Sequence, residues 1–172
     1  NIGQDYPLGG PGLQDSDIDF PEALDLGYGD NEVIIAVIDS GVDYTHPDLV
    51  NNMWTNDAEL NGIFGEDDDG NGFVDDIYGY NFLGEGDSNV TDTIGHGTHC
   101  AGIISAEINN SIGISGVCPN CKIMSLKIFP DGTYADAIEA FTYAIDNGAN
   151  ILSNSWGCEG GCQNSLMEDA VV

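Results

Sequence analysis

Two side chains that could transfer a proton stand at the ends of two predicted elements. Asp39 directly follows Val33–Ile38, a continuous apolar run of the kind found in strands buried on both faces. His96 lies between two glycines at the predicted start of a helix. A carboxylate that accepts a hydrogen bond from Nδ1 of a histidine fixes the ring tautomer and stabilises the protonated ring. The two residues therefore predict acid–base chemistry, although an aspartate in this position, taken alone, is more typical of a helix or turn cap.

A second histidine, His99, follows His96 by one helical turn and raises the alternative of a metal site. Metal-binding helices of the HExxH type place their histidines four residues apart and use a third ligand. Here the spacing is three residues and no third ligand is evident, so we disfavour zinc at this position.

The elements that must position these residues alternate along the chain. Lys122–Ile128 and Ala149–Asn154 are apolar and strand-like, while Ala135–Asn147 has helical periodicity that ends at Gly148. This alternation predicts an α/β fold with a parallel sheet and right-handed crossovers, whose ligands gather beyond the carboxyl ends of the strands. Further helices are expected around 20–26, 96–106 and 165–172, and a further strand at 77–82.

Charge excludes several classes of partner. The chain has 172 residues and a formal net charge of −28, from 30 acidic residues and only two lysines. Nucleic-acid backbones and anionic membrane surfaces both require clustered cations, and no apolar run is long enough to span a bilayer, so we expect neither partner. Residues 1–32, rich in Gly, Pro and Asp, are predicted to be an N-terminal arm, and residues 33–172 a folded domain.

The acidic segment 51–93 contains a loop that resembles half of an EF-hand. Its side-chain oxygens fall at positions 1, 3 and 5, a glycine follows at position 6, and a carbonyl falls at position 7. Five carboxylates within ten residues repel one another, which favours a bound calcium ion over the alternative of a disordered, solvated loop. The predicted ligands are Asp67, Asp69, Asn71, the carbonyl of Phe73, and Asp75 or Asp76.

Five cysteines form two close pairs, Cys118 with Cys121 and Cys158 with Cys162, and leave Cys100 over. Such pairs occur in zinc sites, but neither has a histidine or another cysteine nearby. Local disulfides in an exported protein are therefore favoured. The N-terminus is polar and shows no signal peptide, so a secreted protein, which the cysteine pairs favour, would be one whose leader has been removed.

Four sequence blocks together carry a resemblance to one family: Val37–Asp43, His46–Leu49, Gly95–Gly102 and Ser153–Gly157. They occur in the order and spacing of the subtilisin-like serine proteases, or subtilases, and the resemblance covers residues 15–172. It implies a three-layer α/β/α fold with an incomplete parallel sheet, and it implies that Asp39 and His96 belong to an Asp–His–Ser triad in which His96 is the general base.

The resemblance also implies a groove for a polypeptide substrate. Ser155, Trp156 and Gly157 resemble the strand that lines the family's S1 pocket, and Trp156 replaces a smaller apolar residue that is common there. The opposite strand of the groove would contain Asp131, Gly132 and Thr133. A peptide held between them would add a strand to the protein.

Calcium ligands are implied by the resemblance as well. Asp48 matches a side-chain ligand of the family's strong site, and Asn110 lies in a loop that would wrap the ion. The carbonyls of Ile108, Ile112 and Ile114 would supply further oxygens. Cys100 matches a buried free thiol of thermitase-like branches, which leaves 118–121 and 158–162 as the disulfides.

The family's nucleophile, in a Gly-Thr-Ser-Met-Ala motif, and its oxyanion-hole asparagine do not occur in these 172 residues. Covalent catalysis needs both, so we expect the chain alone to be inactive. The sequence predicts a monomeric, calcium-stabilised serine endopeptidase of which this chain carries the Asp and the His. The alternative is a non-catalytic, calcium-binding pseudoprotease or peptide-binding module.

Overall fold

Four parallel strands lie at the centre of the computed structural model, which describes residues 18–157. The spatial order of the strands is β2-β3-β1-β4, and every neighbouring pair is parallel. The strands are β1 (Ile34–Asp39), β2 (Gly79–Asn81), β3 (Lys122–Lys127) and β4 (Ile151–Ser153). The helices are α1 (Phe20–Leu24), α2 (Asp57–Leu60), α3 (His96–Ser105) and α4 (Tyr134–Asp146), with a short 3-10 turn at Val50–Asn52.

The central strand β1 is apolar throughout because both of its faces are covered. Ala36 and Ile38 pack into one hydrophobic cluster, and Ile35 and Val37 pack into another. Alternate residues of a strand point to opposite faces, so the two clusters lie on opposite sides of the sheet. This arrangement explains why the sequence shows a continuous apolar run rather than an alternating one.

Helices cover both faces of the sheet and complete three layers. The small residues of α4, together with Phe141, pack in the same cluster as Ile38. On the other face, Ala101 of α3 packs in the cluster of Val37. The predicted three-layer α/β/α architecture with a parallel sheet is thus confirmed.

Local signals explain where α4 begins and ends. The Thr133 side chain accepts a hydrogen bond from the backbone of Asp136, whose carboxylate bonds the backbone of Thr133, so the two residues form a capping box. Past the C-terminus of the helix, Gly148 adopts a φ of 81°, a conformation that glycine tolerates without strain.

The cysteine prediction is confirmed where the structure describes it. Cys118 and Cys121 form a disulfide, which excludes the zinc alternative for this pair, and Cys100 is a free thiol. Cys158 and Cys162, like the helix predicted at 165–172, lie outside the described residues.

Within residues 18–157, no helix has the length and apolar character needed to cross a membrane. The division into an arm (1–32) and a domain (33–172) stays a prediction.

Leu126, at the centre of the sheet, provides a test of this core. Its side chain is 0% exposed, so Leu126→Ala should lower the free energy of unfolding by about 2–5 kcal/mol through lost burial and an unfilled cavity. The matched change Leu26→Ala, at a side chain that is 93% exposed, should alter it by less than about 0.5 kcal/mol. Chemical denaturation measures both variants, and equal effects would contradict the described core.

Candidate active site

The predicted acid–base pair meets at the end of the central strand. Asp39 is the last residue of β1 and His96 the first residue of α3. Nδ1 of His96 lies 2.8 Å from Oδ1 and 2.9 Å from Oδ2 of Asp39. The carboxylate can only accept, so the Nδ1–H donates, and Nε2 remains as the ring atom that can exchange a proton with a substrate or nucleophile.

The two partners differ in exposure. Asp39 is 1% exposed, whereas the His96 side chain is 52% exposed. Asp39 also accepts a hydrogen bond of 2.7 Å from the backbone N–H of Ser40, which orients the carboxylate. The hydrogen bond and the charge of Asp39 raise the pKa of His96 above its ordinary value of 6.5. The site therefore favours the imidazolium, as a general base requires once it has accepted a proton.

Glycines allow the helix to approach the strand this closely. A side chain at Gly97 would overlap the carbonyl oxygen of Gly41 and touch Cβ of Asp39. Gly95, the N-cap of α3, has a φ of 93°. The glycines on either side of His96 thus serve different purposes, close packing after it and a left-handed turn before it.

Cys100 lies one helical turn after His96, and its Sγ is 3.9 Å from Nδ1 of the ring. The thiol is free and partly buried rather than fully buried. Ligand atoms of Asp39, His96 and Cys100 lie within 4.8 Å of one another. Nδ1 is, however, already hydrogen-bonded to Asp39, so this geometry is that of an oriented histidine. His99 is exposed.

The predicted substrate segments follow the two strands that flank β1. Residues 131–133 come after β3 and residues 155–157 come after β4, and the sheet order places β1 between those strands. Trp156 is anchored there, since its Nε1 donates to the carbonyl of Ile38 at 2.8 Å and its ring lies edge-on to Phe129. Asp131, Thr133, Ser155 and Gly157 are exposed, and Gly132 and Trp156 are partly buried.

The first predicted calcium site is built around a buried carboxylate. Asp48 is 3% exposed and accepts hydrogen bonds from the Asn110 side chain (2.7 Å) and the Ile114 N–H (3.1 Å). Among the described residues no cationic side chain forms an ion pair with it. Three residues with positive φ (109, 111 and 113) let the loop curl around this carboxylate. The predicted ligands, Asp48 and Asn110 with the carbonyls of Ile108, Ile112 and Ile114, would form a donor set of the oxygen-only type that calcium takes.

The second predicted site gains a residue from outside the loop. Carboxylate oxygens of Asp67, Asp69 and Glu59 lie within 4.8 Å of one another. Glu59, from α2, is only 4% exposed and accepts hydrogen bonds from the N–H groups of Asp68 (2.7 Å) and Asp75 (2.9 Å). Three converging carboxylates fit a hard cation. The loop motif gave no signal for Glu59, because it lies on a separate helix.

The other predicted ligands of this loop have different surroundings. The Asp75 carboxylate accepts from the N–H of Gly65. Asp76 is 0% exposed and accepts from Asn56, Asn71 and Tyr143. Burial raises the pKa of Asp76 despite these hydrogen bonds. Asp76 therefore links the loop to α4. The Phe73 ring packs edge-on against Tyr143.

The parallel three-layer sheet, with a buried aspartate at the end of its central strand and a histidine at the start of the following helix, defines an α/β protein with a hydrolase-type Asp–His pair. The subtilase family model matches residues 30–171 of the chain. The chain therefore belongs to the subtilase family, as the sequence motifs predicted.

Relatives agree with this assignment. The chain is 46% identical to subtilisin-like protease 1 of Plasmodium berghei over 71% of its length, which is 21% of that protein. It is 33% identical to thermitase of Thermoactinomyces vulgaris over 90% of its length and 47% of that protein. The solved structure of sphericase superposes with a TM-score of 0.61 at 30% identity, covering 83% of this chain and 42% of that one. The chain thus spans less than half the length of these relatives.

The charge state of His96 provides a test of the pair. Because the folded pKa of His96 is raised above 6.5, its stabilising contribution is complete below the unfolded value and is lost as the pH rises through the folded pKa. Asp39→Asn should lower the pKa of His96 and weaken this dependence. NMR titration of the imidazole measures the change. Asp57→Asn, at an exposed carboxylate on α2, should leave the titration unchanged, and an unchanged titration in Asp39→Asn would contradict the assigned geometry.

Proposed function

We propose that the protein is a secreted, calcium-stabilised serine endopeptidase. It hydrolyses peptide bonds through an Asp–His–Ser triad, to which this chain contributes Asp39 and His96. The observation that carries the proposal is the bond from Nδ1 of His96 to the buried Asp39, at 2.8 Å. That bond leaves Nε2 to the hydroxyl of a serine.

In the proposed mechanism the attacking serine and the oxyanion donor belong to the C-terminal part of the subtilase catalytic domain. Nε2 of His96 accepts the proton of the serine hydroxyl as the oxygen attacks the peptide carbonyl, and Asp39 stabilises the resulting imidazolium. His96 then delivers the proton to the leaving amine. The raised pKa of His96 supports the first step, because a more basic ring accepts the proton more readily.

The substrate would lie across the end of β1. Residues 131–133 and 155–157 stand on either side of that end, so an extended peptide between them passes over Asp39 and His96. Backbone hydrogen bonds would hold the peptide as an additional strand. Trp156, fixed by its bond to Ile38, would shape the wall of the pocket for the side chain before the cleaved bond.

Calcium would stabilise two loops. One site would use Asp48, Asn110 and the carbonyls of Ile108, Ile112 and Ile114. The other would use the carboxylates of Asp67 and Asp69, to which we add Glu59; Asn71, the Phe73 carbonyl, Asp75 and Asp76 remain proposed ligands of that loop. When bound, calcium supplies positive charge that offsets repulsion among these carboxylates.

Charge and the disulfide also bear on where the protein acts and on its partners. A disulfide in the described region and a formal charge of −28 support a secreted protein without a nucleic-acid partner. We propose that it acts as a monomer on polypeptides.

Covalent labelling tests the catalytic proposal. The full-length protein should react with a serine-directed fluorophosphonate, and His96→Gln should lower the labelling rate by at least about a thousandfold because the general base is lost. The matched control is His99→Gln, an exposed histidine on the same helix, which should label at the parental rate. Peptide binding without labelling would instead support the binding-module alternative.

Calcium removal tests the metal proposal. Chelation with EDTA should lower the Tm by several degrees, since an ion that binds only the folded state stabilises it in proportion to the logarithm of its concentration. Asp48→Asn and Asp67→Asn should each remove one calcium ion in equilibrium dialysis. Asp57→Asn, at an exposed carboxylate on α2, should remove none. A melting curve that EDTA leaves unchanged would overturn both sites.

A further inference from the structure

The Asp92 carboxylate, which precedes the histidine helix, accepts five hydrogen bonds. Oδ1 accepts from the Ser40 hydroxyl (2.9 Å), the Ile94 N–H (2.9 Å) and the Gly95 N–H (2.8 Å). Oδ2 accepts from both the N–H (2.9 Å) and the hydroxyl (2.7 Å) of Thr98. Both oxygens are therefore fully used, and the donors come from two separate parts of the chain.

One set of donors belongs to the start of α3, which lacks its own cap. The N-cap residue is Gly95, which has no side chain to accept from the first turn. Asp92 accepts from the N–H of Thr98, and the Ser40 hydroxyl accepts from the N–H of Gly97 at 2.9 Å. A carboxylate at a helix N-terminus also interacts favourably with the helix dipole.

The two hydroxyls connect the helix to the turn after β1. Ser40 accepts from Gly97 and donates to Asp92. Thr98 accepts from the backbone N–H of Asp43 at 2.9 Å and likewise donates to Asp92. Each hydroxyl has a single proton, so once it has accepted a hydrogen bond from an N–H group it must donate that proton to an acceptor. Asp92 is the acceptor for both hydroxyls. The carboxylate thus joins the elements that carry Asp39 and His96.

A buried lysine anchors the segment that carries Asp92. Lys127, at the end of β3, is 7% exposed, and its ammonium donates to the carbonyl of Thr91 at 2.8 Å. Since Thr91 directly precedes Asp92, this bond fixes the backbone from which the carboxylate projects. Asp92 is therefore held by the sheet on one side and by the helix on the other.

We propose that Asp92 is a positioning residue for the catalytic base: it holds the first turn of α3 against the end of β1, so that Nδ1 of His96 meets the carboxylate of Asp39. The role rests on the proposed function, because a base matters only if the triad is used. No sequence motif on its own marks Asp92 among the many acidic residues around it.

The network requires a carboxylate rather than an amide. Asparagine offers one acceptor oxygen, so Asp92→Asn would turn an N–H₂ group toward the donors on one side and leave at least one backbone N–H without a partner. Charge matters as well. Burial alone would raise the pKa of Asp92, but the hydrogen bonds from Thr98, Gly95 and Ile94 outweigh it and lower that pKa. The resulting anion adds to the effect of Asp39 in raising the pKa of His96.

The test compares Asp92→Asn with Asp87→Asn in the full-length protein. Asp87 lies in the same loop and bonds only local groups, Asn81 and Asn89, in the described region. We expect Asp92→Asn to lower kcat by about tenfold or more through misplacement of the base, with KM changed less than about twofold. The acidic limb of kcat/KM should move to lower pH. Asp87→Asn should match the parent in all three quantities.

Ser40→Ala distinguishes the effect of Asp92 on the position of α3 from the effect of its charge on His96. It also replaces Asp92→Asn if that variant does not fold. It removes the hydroxyl that accepts from the Gly97 N–H and donates to Asp92, and it alters no charge. We therefore expect kcat to fall while the acidic limb of kcat/KM keeps its pH. NMR titration of His96 decides the question even if the parent protein proves inactive, an outcome that would defeat only the proposed function. Asp92→Asn that matches Asp87→Asn in kcat and in the titration of His96, or Ser40→Ala with parental kcat, would overturn the inference.

Discussion

The hydrogen bond between Nδ1 of His96 and the buried carboxylate of Asp39 is the constraint on which the rest of this structure depends. A strand end and a helix start, 57 residues apart in the chain, must approach to 2.8 Å. Burial of Asp39 makes this bond necessary, because an unpaired carboxylate at 1% exposure would be strongly unfavourable. Glycine at 97 makes the approach sterically possible, and the network around Asp92 holds it.

Hydrogen bonds also compensate for the burial of the other buried acidic residues. Asp48, Glu59 and Asp76 are each almost inaccessible, and each accepts hydrogen bonds from backbone or side-chain donors. Two lysines cannot balance 30 acidic residues, so hydrogen bonds and the proposed calcium ions take the place of ion pairs. Some of the acidic residues are thus buried, hydrogen-bonded parts of the fold, and others form a solvated surface.

Sheet order connects the proposed catalytic pair to its proposed substrate. Because β3 and β4 flank β1, the segments that follow them border the end of the strand that carries Asp39. Parallel strands align their carboxyl ends on one edge, which is why loops distant in sequence can form one groove. Trp156, bonded to the carbonyl of Ile38, ties one wall of the proposed groove to β1.

The sequence by itself determined the four strands, helices α1, α3 and α4, and the pairing of Asp39 with His96, because apolar periodicity and contiguous motifs are local properties. It did not predict the short helix α2. It predicted β1 and β3 to within one residue and α4 to within one residue at each end. The proposed roles of Glu59 and Asp92 could be recognised only from the tertiary structure. Each sits among many similar acids, and what distinguishes it is the set of donors and carboxylates that folding brings to it from distant segments. Such long-range partners leave no local pattern in the chain.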